Sequence, residues 1–287
     1  MSGRVRTLLL MLTLTGLLML VAFGVSYALG MNLVYALTLA AVLAVILNFA
    51  TYWYADRWVL RIYKARIVSE EEDPRLHRMV ERLARNAGIP KPKVAIVPVE
   101  TPNAFATGRS PSKSVVAVTA GARELLDEEE LEGVLGHEIT HIKNWDMLIN
   151  TIAAVIGAVV VYLLWFSMFA EGGRDRGGGA SILLLLGLLV MPFAMVLIRM
   201  AISRAREYSA DEGGARISRK PLALASALRK LEVAARRTPL RQGNPSTSQM
   251  FIVNPFRNVS LVNLLASHPP TEERIRRLEE MGRSGAF

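Results

Sequence analysis

The sequence predicts a mainly α-helical membrane protein with a small β-sheet: four transmembrane helices, joined to a polar domain that two separate chain segments build together. Three observations carry this prediction. The chain is 52% hydrophobic over 287 residues with a mean hydropathy of +0.30, more apolar than a soluble globule of this size can bury. Four long stretches carry no charge: Leu8 to Leu29, Leu33 to Ala55, Met147 to Ala170 and Ala180 to Ile198. The formal charge of +9 is gathered at the ends of these stretches rather than in one block.

Each stretch is long enough to cross a hydrocarbon core of about 30 Å at about 1.5 Å per residue. The first also resembles a signal peptide, with Arg4 and Arg6 before it and Ser26-Tyr27-Ala28 as a weak cleavage site. Its apolar core is too long for that, and a second span follows at once. Orientation follows from the basic residues. Arg4 and Arg6 precede the first span, Arg57, Arg61, Lys64 and Arg66 follow the second, and Arg199, Arg204 and Arg206 follow the fourth. The turn near Gly30 is uncharged, and in the 171–179 loop Arg174 and Arg176 are balanced by Glu171 and Asp175. The positive-inside rule then places both termini and the polar segments in the cytoplasm, and the lipid bilayer rather than nucleic acid accounts for the basic excess. The expected organisation is a transmembrane hairpin with its flank over 1–66, a polar segment over 67–146, a second hairpin over 147–198 and a second polar segment over 199–287.

Within the first polar segment, Leu76, Met79, Val80 and Leu83 have helical spacing from Pro74 to a stop at Gly88. Val94 to Val97 and Val115 to Val118 read as short strands. Asp127 and Glu130 form a capping-box pattern that opens the next helix. In the second segment, Pro239, Gly243 and Pro245 make 236–248 a loop.

The helix after Asp127 carries the chemistry. With no cysteine and four histidines, any metal site must draw on few residues. Two of the four stand in His137-Glu138-Ile139-Thr140-His141, an H-E-x-x-H pattern that chance seldom produces from so few histidines. Residues i and i+4 share a helix face, so both imidazoles reach one metal, and Glu138 beside them is placed to take a proton from a water that the metal polarises. Catalytic zinc commonly takes three protein ligands. Positions 144 and 147 are Asn144 and Met147, so the third ligand is not a histidine just downstream, and His77, alone on its helix, is expected at the surface. Two carboxylate pairs remain, Glu171 with Asp175 and Glu207 with Asp211. The first lies across the membrane from the motif. His141 lies about 9 Å before the third span and Glu207 about 13 Å beyond the fourth, so antiparallel helices would bring them level. Glu207 is therefore the expected ligand, with Asp211 one turn on accepting the free ring N–H of a ligating histidine.

With Glu207-Tyr208-Ser209-Ala210-Asp211 added to the H-E-x-x-H pattern, the chain resembles the HtpX membrane zinc metalloproteases, relatives of the CaaX prenyl endopeptidases. Asn103-Ala104-Phe105-Ala106-Thr107-Gly108 is similar to that family's substrate-side strand, and Ser267-His268-Pro269-Pro270 with Arg274 to its C-terminal motif. The resemblance implies a cytoplasmic zincin-like (gluzincin) metalloprotease domain holding one zinc per subunit through His137, His141 and Glu207, with Glu138 as general base. It implies that Asn103, Ala104, Phe105 and Ala106 bind substrate, as an edge that pairs with extended polypeptide. It further implies that His268 stabilises the oxyanion or orders the site, with Arg274 supporting it, and that the substrates are misfolded or damaged membrane proteins. A simpler reading of the last motif is a helix entrance with Thr271 as N-cap.

Three other classes fit less well. A protease with its motif inside the bilayer conflicts with Glu128, Glu129, Glu130, Lys143 and Asp146 around the motif. A zinc-binding scaffold or adaptor without turnover has no need of Glu138. A transporter would carry ionisable residues within its spans, and these spans have none.

Overall fold

The structure, a computed structural model, describes residues 30–147, 204–237, 252 and 269–285, with scattered positions from 8 to 26. The chain divides into two compact units, Met1–Tyr54 with Ile152–Ala201 and Ala55–Thr151 with Ile202–Phe287.

In the first unit, the apolar stretch Leu33–Tyr54 is long enough to cross a membrane and is largely exposed, with Val34 and Tyr35 about three-quarters accessible. It is the only such helix among the described residues. The expected third and fourth spans lie outside the described residues, as does much of the first. Helix α1 (Leu33–Ile62) outlasts the expected second span and carries Arg57 and Arg61, which were expected to follow it.

The second unit is built on a four-stranded mixed sheet. Its strands β1 (Arg66–Ile67), β2 (Lys93–Val97), β3 (Ala104–Ser110) and β4 (Lys113–Thr119) lie in the order β1-β2-β4-β3. β2 and β4 are parallel, and the two outer pairings are antiparallel. Side chains alternate across the sheet, as the period of two requires. Ala104, Ala106, Val116 and Val118 face the helices, whereas Phe105, Val115 and Ala117 face the other way, onto Val59 and Tyr63 at the end of α1.

Helix α2 (Pro74–Ala87) keeps its expected ends. The Asp73 carboxylate accepts the Leu76 N–H at 3.1 Å, and Gly88 closes the helix at φ +72°. His77 is buried, not at the surface: its ring nitrogen Nε2 lies 3.1 Å from the Val68 carbonyl oxygen and ties the helix to the strand-side chain. After α3 (Ala120–Leu125), helix α4 (Glu128–Lys143) opens on the expected capping box. Asp127 accepts the Glu130 N–H at 2.9 Å, and Glu130 accepts the Asp127 N–H at 3.0 Å. The Glu130 carboxylate also takes Ser226 and Lys230, at 2.6 Å each, from helix α6 (Pro221–Arg237).

Helix α4 is buried almost throughout because it packs on the sheet, on α2, on α6 and on α5 (Arg204–Ser218). Its contact with α5 is backbone to backbone. A methyl group on Gly214 would lie 2.6 Å from His137 N, and one on Gly136 would lie 2.9 Å from Gly214 O. Helix α7 (Thr271–Ser284) covers α6 and α5, with the Arg277 guanidinium 3.8 Å over the Tyr208 ring. Thr271 is not its N-cap. It is the first helical residue, and its hydroxyl donates to Glu232 at 2.7 Å.

Gly214→Ala is expected to force α4 and α5 apart and to destabilise the second unit by about 1–3 kcal/mol, as overpacking of a close contact does. Denaturant unfolding of the metal-free protein measures this, and an unchanged midpoint would contradict the close crossing.

Candidate metal centre and active site

The crossing of α4 and α5 sets the site. His137 and His141 project from one face of α4, and Glu207 projects from the first turn of α5. One donor atom from each lies within 4.8 Å of the others, and all three residues are buried. The two Nε2 atoms are 3.1 Å apart, and Glu207 approaches them at 3.5 and 3.9 Å. Bonds of about 2 Å in a tetrahedral site separate donor atoms by roughly 3.3 Å, so this spacing suits a small divalent ion.

The outer nitrogens explain why. His137 Nδ1 lies 2.9 Å from Asp211 Oδ1, and His141 Nδ1 lies 3.1 Å from Asp146 Oδ2. A carboxylate at Nδ1 selects the tautomer with the proton there and leaves a bare lone pair on Nε2. Two such nitrogens facing each other at 3.1 Å share a proton in the metal-free molecule and offer paired lone pairs to a metal ion that replaces it. The residues therefore fit a metal in chemistry as well as in spacing.

Burial and charge tune the ionisable groups. Burial pushes the Glu138 carboxyl up to about 8, with the nearby Glu207 charge adding to it, while His141 and a bond from the Ala106 backbone N–H oppose it. For His141 burial works downward, but Asp146, Glu207 and Glu138 outweigh it and hold the ring up to about 9. His137 goes down, because its burial outweighs Asp211. Asp211 would rise on burial, yet Arg274 and His137 hold it below the ordinary carboxylate range.

Arg274, 1% exposed, sets this balance. Its Nε and Nη2 donate to the two oxygens of Asp211 at 2.7 Å each, and its Nη1 donates to the Ile252 carbonyl at 2.9 Å. It thus acts on the site through Asp211 and also directly, its Nη1 lying 3.8 Å from Glu207 Oε2. His268, which it was expected to support, lies outside the described residues.

The substrate-side segment divides in two. β3 is the outer strand of the sheet among the described strands. Asn103 is buried before it: its amide oxygen accepts the N–H groups of Ala104 at 2.8 Å and Ile252 at 3.2 Å, so the side chain is a brace rather than an exposed contact. Phe105 turns away from α4 and packs on Tyr63 with ring centroids 5.7 Å apart, so only its backbone remains on the strand. Ala104 and Ala106 face α4.

Sequence reasoning passed over one neighbour of the site, Asp146. Position i+5 from His141 is not on the histidine's helical face. The contact forms because the chain turns out of the helix at Trp145, which has φ +65°.

The model of peptidase family M48 matches residues 70–282, which include all of these groups except Tyr63. The protease HtpX homolog of Pyrococcus furiosus is 55% identical over 96% of this chain and 95% of its own. That of Methanocaldococcus jannaschii is 50% identical over 98% of each. The chain belongs to peptidase family M48. The crystal structure of S. mikatae Ste24p shares the fold, with a TM-score of 0.51 at 17% identity over 96% of this chain and 65% of that one. As an M48 peptidase this chain is a metalloprotease, and with its exposed apolar helix it is a membrane-associated one.

Arg274→Met leaves Asp211 buried without its cation and is expected to cost about 3–5 kcal/mol. Because the pKa of Asp211 is depressed in the fold, its contribution is complete above its ordinary value of 3.8 and is lost as pH falls below it. Denaturant unfolding of the metal-free variant at neutral pH measures the cost, and a loss under about 1 kcal/mol would mean that Asp211 is not a buried anion.

Proposed function

We propose that this M48 peptidase is a zinc-dependent endopeptidase of the cytoplasmic membrane that hydrolyses misfolded or damaged membrane proteins at the cytoplasmic face. The observation that carries the zinc and protease reading is the buried trio of His137, His141 and Glu207 with Glu138 beside it. The membrane setting rests on the four charge-free stretches and their basic flanks, which favour a multi-pass chain with both termini cytoplasmic. The substrate class rests on the resemblance of the motifs, and unfolded polypeptide is its general form.

His137, His141 and Glu207 would hold one zinc per subunit, which supplies a Lewis acid for the scissile carbonyl and lowers the pKa of the attacking water. Glu138 takes the proton of that water and passes it to the leaving amine. Its carboxyl sits near neutrality through burial, and a nearby dication favours the anion that a base requires. Asp211 holds the His137 ring in one tautomer, and Arg274 holds Asp211. Ala104 and Ala106 offer an extended substrate an outer strand with little side-chain bulk. His268 is assigned to the oxyanion on its place in the C-terminal motif.

In detergent-purified protein, Glu138→Gln is expected to retain zinc at the wild-type ratio and to lower cleavage of an unfolded membrane protein by at least about 10²–10⁴-fold. A strong chelator should stop the wild-type enzyme. Cleavage that survives chelation would end the zinc reading, and wild-type turnover by Glu138→Gln would end the assignment of the base.

A further inference from the structure

We infer that Asp146 is a positioning residue for the metal site, fixing the His141 ring and joining it to the helix that carries Glu207. The inference rests on the reading of His141 and Glu207 as metal ligands.

The contacts come from two sides. Asp146 is 1% exposed. Its Oδ2 lies 3.1 Å from His141 Nδ1, and its Oδ1 lies 3.5 Å from Arg206 Nη1. Arg206 directly precedes Glu207 in sequence. Asp146 thus spans the end of α4 and the start of α5, the elements that supply the ligands.

The backbone supplies an independent observation. Trp145 sits at φ +65°, in the left-handed region that a bulky side chain rarely adopts. Such strain persists where the surroundings demand it, and often at functional sites. Its effect here is specific. Continued helix would carry position 146 about 140° around the axis from His141. The turn instead brings the carboxylate back under the ring.

The arrangement also repeats. His137 meets Asp211, which is held by Arg274; His141 meets Asp146, which lies against Arg206. Each ligand histidine has an aspartate at Nδ1 and an arginine behind that aspartate. Only the first of these sets has its aspartate at helical spacing from a ligand, Glu207.

The test uses full-length protein in detergent, stripped of metal and titrated with Zn2+ against a chromophoric chelator, and separately with Co2+ for its visible spectrum. Asp146→Asn keeps the side-chain shape and removes the charge. It is expected to weaken Zn2+ binding about 10–100-fold and to shift the cobalt bands, with Asp146→Glu recovering part of both. A role confined to packing would lower the melting temperature of metal-free protein and leave the cobalt bands in place. Zinc affinity within about twofold of wild type, or an unshifted cobalt spectrum, overturns the inference. Asp146→Ser carries the same expectation if Asp146→Asn does not fold. His141→Ala separates the two levels. If it binds zinc as tightly as wild type, the ligand assignment fails and this inference falls with it. If it loses zinc while Asp146→Asn keeps it, only the inference about Asp146 fails.

Discussion

The backbones of α4 and α5 touch at Gly136 and Gly214, and this contact sets the distance between the two histidines and the carboxylate that completes their site. No side chain separates the helices there, so His137 and Glu207 come within 3.9 Å although they stand far apart in sequence. Thr140 fills the next step of the crossing against Gly213. The glycines matter here for the volume they lack. Sheet, α2 and α6 then press on the remaining sides of α4 and hold the histidine face in one position.

That packing has an electrostatic cost, because it gathers Glu138, Glu207, Asp211 and Asp146 where little water reaches them. Unpaired charges there would neutralise or unfold the domain. The fold answers in two ways. Arg274 gives three donors to the interior, two of them spent on Asp211. Glu138, which has no such partner, rises toward neutrality instead. A divalent ion among the histidines would change that balance, which links metal occupancy to the protonation of the base.

How much of this could be read from the sequence depended on periodicity. His137, His141, Glu207 and Asp211 obey i,i+4 spacing, so their grouping followed from helix geometry once the two helices were taken to meet. Local capping rules gave the start of α4 and the ends of α2. Where a contact depends on a turn or on distant packing, the reading failed. His77 looked like a surface histidine, because nothing local shows that the Val68 carbonyl awaits it. The motif around Phe105 likewise does not tell which face of the sheet its side chain takes. Asp146 was invisible for the reason that gives it interest: a left-handed residue breaks the helical count. Ile252, in a stretch without charge or periodicity, gave no sign that its backbone bridges Asn103 and Arg274.

β3 has a further consequence. An outer strand with open backbone groups invites self-association with another copy. Here the Ala104 N–H is taken by the Asn103 amide and the Ala106 N–H by the Glu138 carboxylate. These two N–H groups of the edge are thus answered from within the fold. Position 138 then bears on colloidal behaviour as well as on chemistry, since the acceptor that quiets the strand in the resting molecule is the one a bound peptide must share.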